Sequence, residues 1–536
     1  MRGLLPVTHI HRSLVLGCCL LALSACGPDD IVSPGSGGNV DISIVTPPAP
    51  TPTPTPTQAL VTPAGTCPTI SDPQGLTDKG TISGPTGTWR VCELPRTIKK
   101  SSTLPKVAGL LYSMNGRVDV GCDGGFAPPS AGSPYASTTA GCTTPLVADT
   151  NVTLTIDPGV ILYGATGQSW LAVNRGNRIN AVGTATKPIV FTSKDNVGGL
   201  DSDTSIGQWG GVVLLGRAHV TDCNYGSTGS STCERDTEGS VDKAIFGGTN
   251  DADNSGQMSY VQIRYSGFVL GADKELQSLT GEGIGSGTVI DHFQSFNSSD
   301  DGSEWFGGSP RLKYYVATGA DDDSLDVDTG AQMNVQWALL VQRPGQGDSF
   351  MEIDSNGFES DTPRTKLQLS NFTAVQPQAS SQNDSTGDLA ASMFRGNSDS
   401  TLMNGIIYAP NNECIRMNGS GATPATLTAK SVVLTCNATK YLGTGTYTAT
   451  NVQTMFGSGS NNNNDALVST LTGFLNGANE NGVAVFDPTA LSSFFTLPTH
   501  VGAAYTGNTD WYAHWTCNSS YAPLGGDTDC TSLPTT

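Results

Sequence analysis

The chain has 536 residues, with 47 acidic against 27 basic residues and a formal net charge of −20 at pH 7. Only 14% of the residues are charged and 65 are glycine, a composition that favours an extracellular β protein with many turns over a helical enzyme. Because binding to phosphates needs Lys and Arg side chains, so acidic a chain is predicted to have no nucleic-acid partner. It would instead attract divalent cations or basic partners.

Residues 1–25 are predicted to be an export signal. Arg2 and Arg12 flank the start of this segment, and Leu14–Ala22 follows as a short apolar core. The apolar core is too short to span a bilayer as a helix. An ordinary secretory signal or a membrane anchor is the alternative to the lipoprotein signal described next.

Leu23–Cys26 resembles the processing site of bacterial lipoproteins, whose family pattern is L-[AS]-[GA]-C. The resemblance implies that cleavage occurs before Cys26 and that this cysteine carries the lipid. Gly27 follows it, and by the same resemblance this favours the outer membrane, on either the cell surface or the periplasmic face. The sequence therefore predicts a partner in the membrane itself, through a lipid anchor.

Residues 26–66 are predicted to be a disordered stalk. Gly35–Gly38 is a flexible stretch, and Pro47–Thr57 is almost entirely Pro and Thr. Such a run adopts an extended polyproline conformation of about 3 Å per residue. Its predicted role is to hold the folded part away from the lipid surface.

The cysteines beyond Cys26 indicate an oxidising compartment. They form close sequential pairs, as expected for disulfides in an exported chain. No pair has the spacing C-x-x-C, which argues against zinc ribbons and thioredoxin-like redox chemistry. The predicted pairs are Cys67/Cys92, Cys122/Cys142, Cys223/Cys233, Cys414/Cys436 and Cys517/Cys530.

Leu279–Asp354 repeats with a period of about 22 residues, and a period in the twenties is typical of a solenoid. One column of acids contains Glu282, Glu304, Asp326 and Asp348. One column of aromatic residues contains Phe293, Tyr315 and Trp337. Short Val, Ile, Leu and aromatic runs are broken by Gly and Asp, which predicts strands and turns in each repeat.

These features predict an all-β fold, a single parallel β-helix with about 22 residues per turn. Residues one period apart would then lie about 4.8 Å apart on neighbouring turns. We expect an N-terminal cap at 67–150, the β-helix at 151–450, and C-terminal strands with a closing cap at 451–536. The aromatic column is expected to fill the interior of the β-helix.

Several motifs resemble those of a family of bacterial outer-membrane lipoproteins with a right-handed parallel β-helix, which includes a leptospiral outer-membrane lipoprotein. The motifs are LTIDPGVILYG, WGGVVLLG, SSDDGSEWFGG, GADDDSLDVDTG and HVGAAYTGNTDWYAHWT. The resemblance extends from about Tyr112 to Thr516. It implies a right-handed parallel β-helix of the pectin-lyase-like type and an outer-membrane location, and it implies no particular reaction.

The acidic residues are the candidate functional group, with calcium as the candidate cation. Stacked carboxylates about 5 Å apart repel one another, so cations or hydrogen-bond donors are needed to keep them ionised. The alternative is that they are turn residues that accept backbone N–H bonds. The candidate calcium ligands are Asp301, Glu304, Asp323, Asp326, Asp328 and Asp348.

The sequence predicts a binding or structural role and no catalytic residue. Two alternatives remain. The first is a calcium-dependent polysaccharide lyase, in which Arg343, Arg311 or Lys313 would act as the base. The second is a nutrient-capture lipoprotein associated with a TonB-dependent transporter. The candidate partners are accordingly a polysaccharide or an outer-membrane protein.

Overall fold

The computed structural model describes residues 60–227, 232–271, 274–355, 361–380, 391–419 and 423–535. The predicted signal, the lipidation site Cys26 and most of the predicted stalk lie outside these ranges. The end of the stalk prediction, however, falls within them. Val61 forms a parallel bridge with Gly87 and exchanges backbone hydrogen bonds of 2.9 and 3.0 Å with Thr86 and Thr88. The packed structure therefore begins before residue 66.

The N-terminal part contains short strands and one short helix. The elements are β1 Thr77–Gly84, β2 Gly87–Glu93, β3 Thr97–Ile98, β4 Ser102–Leu104, β5 Leu110–Met114, β6 Arg117–Val120, β7 Thr153–Ile156, β8 Ile161–Gly164, β9 Trp170–Val173, β10 Arg178–Val182, β11 Ile189–Ser193 and α1 Lys194–Gly198.

The middle of the chain adds two small hairpins to the series of strands. The elements are β12 Gly211–Leu215, β13 Arg235–Asp236, β14 Ile245–Phe246, β15 Gly256–Arg264, β16 Val269–Gly271, β17 Lys274–Glu275, β18 Leu279–Glu282, β19 Val289–Phe296, β20 Ser303–Phe306, β21 Arg311–Thr318, β22 Asp326–Asp328, β23 Gln332–Val341 and β24 Met351–Ile353.

Long strands alternate with short ones up to residue 444, after which regular structure is sparse. The elements are β25 Thr365–Val375, β26 Ser392–Phe394, β27 Ser398–Ala409, β28 Ile415–Asn418, β29 Thr426–Cys436, β30 Tyr441–Thr444, α2 Ala449–Phe456, α3 Ala478–Asn481, β31 His514–Asn518 and β32 Gly526–Asp529.

These strands form two long parallel sheets, so the predicted parallel β-helix is confirmed. Sheet A has the order β2-β5-β8-β11-β15-β19-β21-β23-β25-β27-β29, with β4, β7 and β10 joining it beside β15. Sheet B has the order β3-β6-β9-β12-β18-β20-β22-β24-β26-β28-β30. The apolar side chains between the sheets form one continuous core from Ile70 to Phe456.

The number of residues per turn varies along the β-helix, so the predicted period of about 22 residues does not hold for every turn. Ile290 pairs with Leu312, at the spacing that the repeat predicts. Leu369, in contrast, pairs with Leu402, so the turn between these two residues is considerably longer. Insertions at the corners lengthen a turn without changing the sheet, because loops lie on the surface and tolerate them.

The ends of the β-helix also differ from the predicted caps. Parallel pairing already begins with β2 and β5, inside the predicted N-terminal cap, and the antiparallel strand β1 covers the edge of β2. At the other end, α2 closes the core with the buried side chains of Val452 and Phe456. The run Asn461–Asn464 then pairs with β29 as a last, short rung.

Sheet A bends along a line of residues with positive φ. In β15, β19, β21, β23, β25, β27 and β29, one residue at the same level interrupts the pairing and has a φ between 48° and 68°. A left-handed residue of this kind bends a strand. These residues are Tyr260, His292, Tyr314, Trp337, Asn371, Asn404 and Ser431. We call the strand segments before them face A1 and those after them face A2.

The predicted aromatic column is correct for two of its three residues, because the third lies at the bend. Phe293 and Tyr315 are paired, and their rings stack in the core at 5.5 Å, as predicted. Trp337 is not in this column, because Tyr315 pairs with Ala338. Trp337 instead occupies the bend and packs against His500 at 5.2 Å.

The residues after α3 run back along face A2, from β29 towards β11, and do not form the predicted closing cap. Side-chain amides of the sheet form hydrogen bonds with the backbone of these later residues at successive levels. Asn404 exchanges two hydrogen bonds with Phe486, and Gln294 exchanges two with Cys517, at 2.7 to 3.1 Å. Near the chain end, Asn196 donates to the carbonyl of Cys530. We call residues 484–533 the strap.

The strap also buries the apolar side chains that point outward from face A2. Val316, Leu339 and Val375 pack there against Tyr512 and Trp515. Burial of such side chains stabilises the fold by about 25 cal/mol per Å² of apolar surface. Within the described ranges, no helix is both long and apolar enough to cross a bilayer.

Candidate cation site

The acidic residues gather on the outer face of sheet B, where three successive turns meet. The strands β20, β22 and β24 each carry an acid that points outward, and the turn before each strand carries one or two more. We call the following residues the acidic cluster: Asp300, Asp301, Glu304, Asp322, Asp323, Asp326, Asp328, Asp348, Glu352 and Asp354.

The strand acids form a true stack, although not the predicted one. Glu304 pairs with Asp326, and Asp326 pairs with Glu352. The prediction placed Asp348 next to Asp326, but the turn between β22 and β24 is longer than the predicted period, so Asp348 lies in the corner before β24. Glu282 is also absent from this column. It pairs with Phe306, because Thr280 takes the position opposite Glu304.

The turn acids stack beside the strand acids and hold the backbone of the next turn. Asp301 Oδ1 accepts a hydrogen bond of 2.9 Å from the backbone N–H of Asp323. Asp323 Oδ1 accepts one of 2.7 Å from the backbone N–H of Ser349. The predicted alternative, that aspartates satisfy turn N–H groups, therefore applies to one oxygen of each of these two residues. It applies as well to Asp328 and Asp354, whose Oδ1 atoms accept hydrogen bonds from the backbone N–H groups of Thr329 and Ser355. Among the described residues, it does not apply to Oδ1 of Asp326, which has no hydrogen-bond partner.

Three groups of carboxylates each have ligand oxygens within 4.8 Å of one another. The groups share members, so they form one connected patch along the sheet. They are Asp300–Asp301–Asp322, Asp301–Glu304–Asp326, and Asp322–Asp323–Asp348. Five of the six predicted ligands belong to these groups. The sixth, Asp328, lies just beyond Asp326 on the same outer face.

Burial and mutual repulsion raise the pKa values of the cluster. Burial raises the pKa of Glu304 well above its usual range, and the neighbouring charges of Asp326 and Glu238 add to this. The same causes, burial first, raise the pKa of Asp328 to about 7 and that of Glu352 to about 8. Among the described residues, nearby positive charge therefore does not offset the burial and mutual repulsion of these carboxylates.

Glu304 and Asp326 lack the partners that buried carboxylates require. Glu304 is only 8% exposed, and it forms no side-chain hydrogen bond or ion pair with any residue in the described part of the chain. The buried Oδ1 atom of Asp326 likewise has no hydrogen-bond partner there. Buried charges are normally paired or bound to metal. Both carboxylates point to the shared group with Asp301, where a cation would satisfy them.

The basic side chain of Arg395 reaches the edge of the cluster, and no pattern in the sequence indicates it. Arg395 Nη1 lies 2.8 Å from Glu352 and 2.9 Å from Asp354. An enlarged turn separates Arg395 from Asp354, so no repeat spacing connects them. Arg395 neutralises the far end of the cluster, and it forms no ion pair with Glu304 or Asp326.

The basic residues considered for a lyase lie elsewhere. The Arg343 guanidinium is ion-paired with Asp321 on the neighbouring turn and donates to the carbonyl of Thr204. Arg311 and Lys313 point outward from face A1, in another sheet. The structure therefore brings none of the three against the strand acids of the cluster.

All five predicted disulfides are present, and none of their cysteines belongs to the acidic cluster. The bonds are Cys67–Cys92, Cys122–Cys142, Cys223–Cys233, Cys414–Cys436 and Cys517–Cys530.

The first three disulfides join loops to the β-helix and do not follow the repeat, since their sequence separations are 25, 20 and 10. Cys92 is buried on β2, and Cys142 is half-buried in the loop between β6 and β7. Cys233, just before β13, is buried in the same apolar cluster as Phe246. These cysteines are therefore structural and offer no thiolate to a cation.

Cys414 and Cys436 are separated by 22 residues, the predicted period, but they do not stack as equivalent positions of neighbouring turns. Cys436 pairs with Ala409 in sheet A, whereas Cys414 lies in the corner before β28. The bond therefore ties a corner to the end of a strand on the following turn.

The comparisons with known proteins agree with the architecture. No match to the chain is found among curated proteins or among solved structures. A family model described as a pectate-lyase-like β-helix domain matches residues 136–487, well over half of the chain and including the whole acidic cluster. The chain therefore belongs to the pectate-lyase-like β-helix domain family.

Proposed function

We propose that the protein is a lipid-anchored outer-membrane β-helix with a binding or structural role, and that its acidic cluster binds calcium. The observation that carries the calcium site is the group Asp301–Glu304–Asp326, whose oxygens lie within 4.8 Å of one another while Glu304 is buried without a partner among the described residues. A bound cation would supply the missing counter-charge. It would also tie the turns that carry β20 and β22 to each other.

The donor set favours calcium over other metals. All the ligands are carboxylate oxygens, which suit hard cations, and the groups contain no His or Cys. Calcium accepts about six to eight oxygens in flexible geometry, whereas magnesium requires near-octahedral geometry and keeps several waters. A row of carboxylates on a rigid sheet, open to water at Asp300 and Asp322, fits the calcium requirement better.

Thermal unfolding with and without calcium tests the site. A ligand at a hundredfold excess over its Kd stabilises the folded state by about 2.7 kcal/mol. We expect calcium to raise the Tm of the wild-type protein, and Asp326→Asn to abolish the rise. The control variant Asp487→Asn changes an exposed acid on the strap and should leave the rise unchanged. An equal rise with sodium chloride alone would show charge screening and would refute the site.

The membrane anchor is tested separately. The proposal is supported by the resemblance of Leu23–Cys26 to a lipoprotein processing site. Expression with an alkyne-labelled fatty acid should label the wild-type protein, and Cys26→Ala should remove the label and release the protein from the membrane fraction. A labelled or membrane-bound Cys26→Ala variant would refute the anchor. The calcium experiment does not depend on this outcome.

A calcium-dependent polysaccharide lyase is the second candidate, and the family match is the observation that favours it. Arg395 is placed against the strand acids, and it is ion-paired with both Glu352 and Asp354. That pairing argues against a free base. Incubation with polygalacturonate and calcium, followed at the ultraviolet absorbance of unsaturated products, decides the matter. Product formation that Arg395→Gln abolishes would establish the lyase.

The third possibility, a nutrient-capture lipoprotein associated with a TonB-dependent transporter, stays an alternative. Its test is co-purification of such a transporter with the tagged protein from native membranes. Recovery of the transporter with wild-type protein and equally with Asp326→Asn would place the contact outside the cation site.

A further inference from the structure

A cavity of about 490 Å³ lies between face A2 and the strap. Its floor is formed by Val341, Val375 and Tyr408, which pair in register on the successive strands β23, β25 and β27. The strap contributes Tyr512 and Tyr521 to its walls. Protein interiors are close-packed and contain few voids larger than a water molecule, so a cavity of this size is an unusual feature of the fold.

Another wall of the cavity is a tight turn whose backbone is held in place. Thr472 and Leu475 exchange two backbone hydrogen bonds of 2.9 and 3.1 Å, and the backbone N–H of Asn476 donates a third, of 3.0 Å, to the strap. Phe474, in the same turn, packs edge-on against Tyr512, with ring centroids 5.8 Å apart. The cavity is therefore preformed, and a ligand that enters it has little of the chain to order.

The lining of the cavity is mainly apolar and aromatic, and none of the described residues that form it is charged. It includes three tyrosines, three prolines and Phe474, which offer flat or ring-shaped surfaces. Aromatic rings pack well against such surfaces. A charged ligand would lose its hydration in this cavity without gaining a counter-ion, which is costly. The lining therefore selects a neutral ligand with aromatic rings.

Two buried polar groups of the lining lack hydrogen-bond partners. Tyr512 is only 3% exposed, and its hydroxyl forms no hydrogen bond with any residue in the described part of the chain. Gln342 is 2% exposed, and its Nε2 atom has no partner there either. Buried polar groups are normally hydrogen-bonded, so these two indicate a missing partner. Burial raises the pKa of Tyr512 to about 12, which keeps its hydroxyl protonated and able to donate.

We propose that this cavity binds a neutral aromatic compound of two or three rings that carries a hydrogen-bond acceptor. An apolar cavity of about 150 Å³ already holds one benzene ring, so about 490 Å³ has room for two or three rings with substituents. The rings would pack against Tyr408 and Phe474, and the acceptor would receive a hydrogen bond from the Tyr512 hydroxyl. Thr472 and Gly473 line the cavity and are exposed, so a ligand can enter beside them while the strap stays in place.

Other occupants fit the cavity less well. A fatty acyl chain would leave the polar groups of Tyr512 and Gln342 without partners, and a buried unpaired polar group weakens binding. An extended peptide binds by adding a strand to an open sheet edge, whereas face A2 is the surface of a paired sheet. The cavity is also separate from the acidic cluster, which lies on sheet B. The ligand therefore needs neither the cation nor the lipid anchor.

The test titrates the purified full chain, in EDTA, with 6-propionyl-2-(dimethylamino)naphthalene, a neutral two-ring fluorophore whose emission reports the polarity and hydrogen bonding of its carbonyl group. We expect saturable binding with a blue-shifted emission. Leu475→Trp narrows the cavity and should weaken binding about tenfold or more. The matched control Leu497→Trp adds the same indole at an exposed position of the strap and should bind like wild type. All variants are titrated in the same buffer, so partition of the fluorophore into detergent or lipid cancels.

A second variant tests the hydrogen bond and keeps the packing of the ring. Tyr512→Phe should weaken binding about fivefold, the usual effect of one lost hydrogen bond. It should also shift the emission of the bound fluorophore to shorter wavelength, because the carbonyl loses its donor. Tyr505→Phe removes a hydroxyl from the strap at a residue outside the cavity lining, and it should change neither property.

Competition identifies the class of ligand. Methyl 2-naphthoate, which is neutral, should displace the fluorophore, whereas the charged 2-naphthoate and the aliphatic 1-decanol should displace it at least about tenfold less well. Equal displacement by 2-naphthoate or by 1-decanol would overturn the proposal. So would the absence of saturable binding to wild-type protein, and so would an unchanged affinity in Leu475→Trp.

Discussion

Glu304 and Asp326 are paired across neighbouring strands of sheet B, and their carboxylate oxygens are no more than 4.8 Å apart. No hydrogen bond or ion pair to the described residues compensates Glu304. The repeat that places one turn over the next also places like charges together. The fold therefore carries an electrostatic cost at this point, and a bound cation would remove it.

The first prediction concerns the pH dependence of this cost. Without a cation, the folded pKa values are raised, for example to about 7 for Asp328 and about 8 for Glu352. The folded state then holds protons that the unfolded state releases, so stability is greatest below the unfolded pKa values near 4 and falls as the pH rises towards 8. Saturating calcium should suppress that fall.

Melting curves at pH 5, 6, 7 and 8, with EDTA or with calcium, measure this effect. The calcium-induced rise in Tm should be small at pH 5 and largest at pH 8, since bound metal requires ionised ligands. A rise of the same size at every pH would contradict the coupling between protons and cation. Asp487→Asn, far from the cluster on the strap, should follow the wild-type curves.

The second prediction concerns Glu282, which is completely buried and lies outside the proposed ligand groups. Its Oε2 atom is 2.6 Å from the hydroxyl of Thr237, and its buried Oε1 atom has no partner among the described residues. Burial raises the pKa of Glu282 to about 8. The protonated form is thus the one that the folded state favours.

Stability should therefore fall between about pH 4.5 and pH 8, by up to about 1.4 kcal/mol per pH unit from this residue. Glu282→Gln keeps the shape of the protonated acid but cannot ionise. We expect the free energy of unfolding of the variant to match that of wild type at pH 5 and to exceed it at pH 8.5. Urea denaturation at both pH values gives the comparison, and a variant that is less stable at pH 8.5 would show that Glu282 is ionised in the folded protein.

The third prediction concerns a close approach in the core. Gly405 lies opposite Phe372, and a Cβ atom at Gly405 would come within 2.1 Å of the phenyl ring. Gly405→Ala should therefore force the ring to move, at a cost of about 1–3 kcal/mol. Gly132→Ala is the matched control, because a Cβ atom there meets nothing within 4 Å. Chemical denaturation should show a lower midpoint for Gly405→Ala alone.

The general fold could be predicted because the spacing of apolar residues along the sequence indicates which side of each strand is buried. Alternating apolar residues and Gly or Asp at the corners indicated short strands stacked in turns. The exact register could not be obtained, because corner insertions change the number of residues per turn without changing the sheet. Asp348 illustrates this point, since it stands one period from Asp326 in the sequence but does not pair with it.

The candidate site was predictable only in part, for the same reason. Acids on adjacent turns, such as Glu304 and Asp326, have a constant spacing and are visible in the sequence. Arg395 has no such spacing, because an enlarged turn separates it from Asp354. The strap could not be predicted at all, since its contacts are made by isolated amides such as Gln294 and Asn404, which follow no short-range pattern.

The last prediction concerns the strap. Trp515 is completely buried against face A2, and its indole N–H donates a hydrogen bond of 2.7 Å to the carbonyl of Trp511. Gln262, on β15, also donates to the carbonyl of Trp515. Replacement of a buried Trp by Ala typically costs about 3–5 kcal/mol. Because the strap lies outside the core between the sheets, the loss should release the strap before it unfolds the β-helix.

Hydrogen–deuterium exchange of Trp515→Ala should therefore show faster exchange in the strap, and little change in β25, β27 and β29. Dye binding to exposed apolar surface should increase, because Val316 and Leu339 lose their cover. Trp511→Phe keeps an aromatic ring at a half-buried position of the strap and serves as the control. Uniformly faster exchange throughout the chain would show instead that the strap and the β-helix unfold as one cooperative unit.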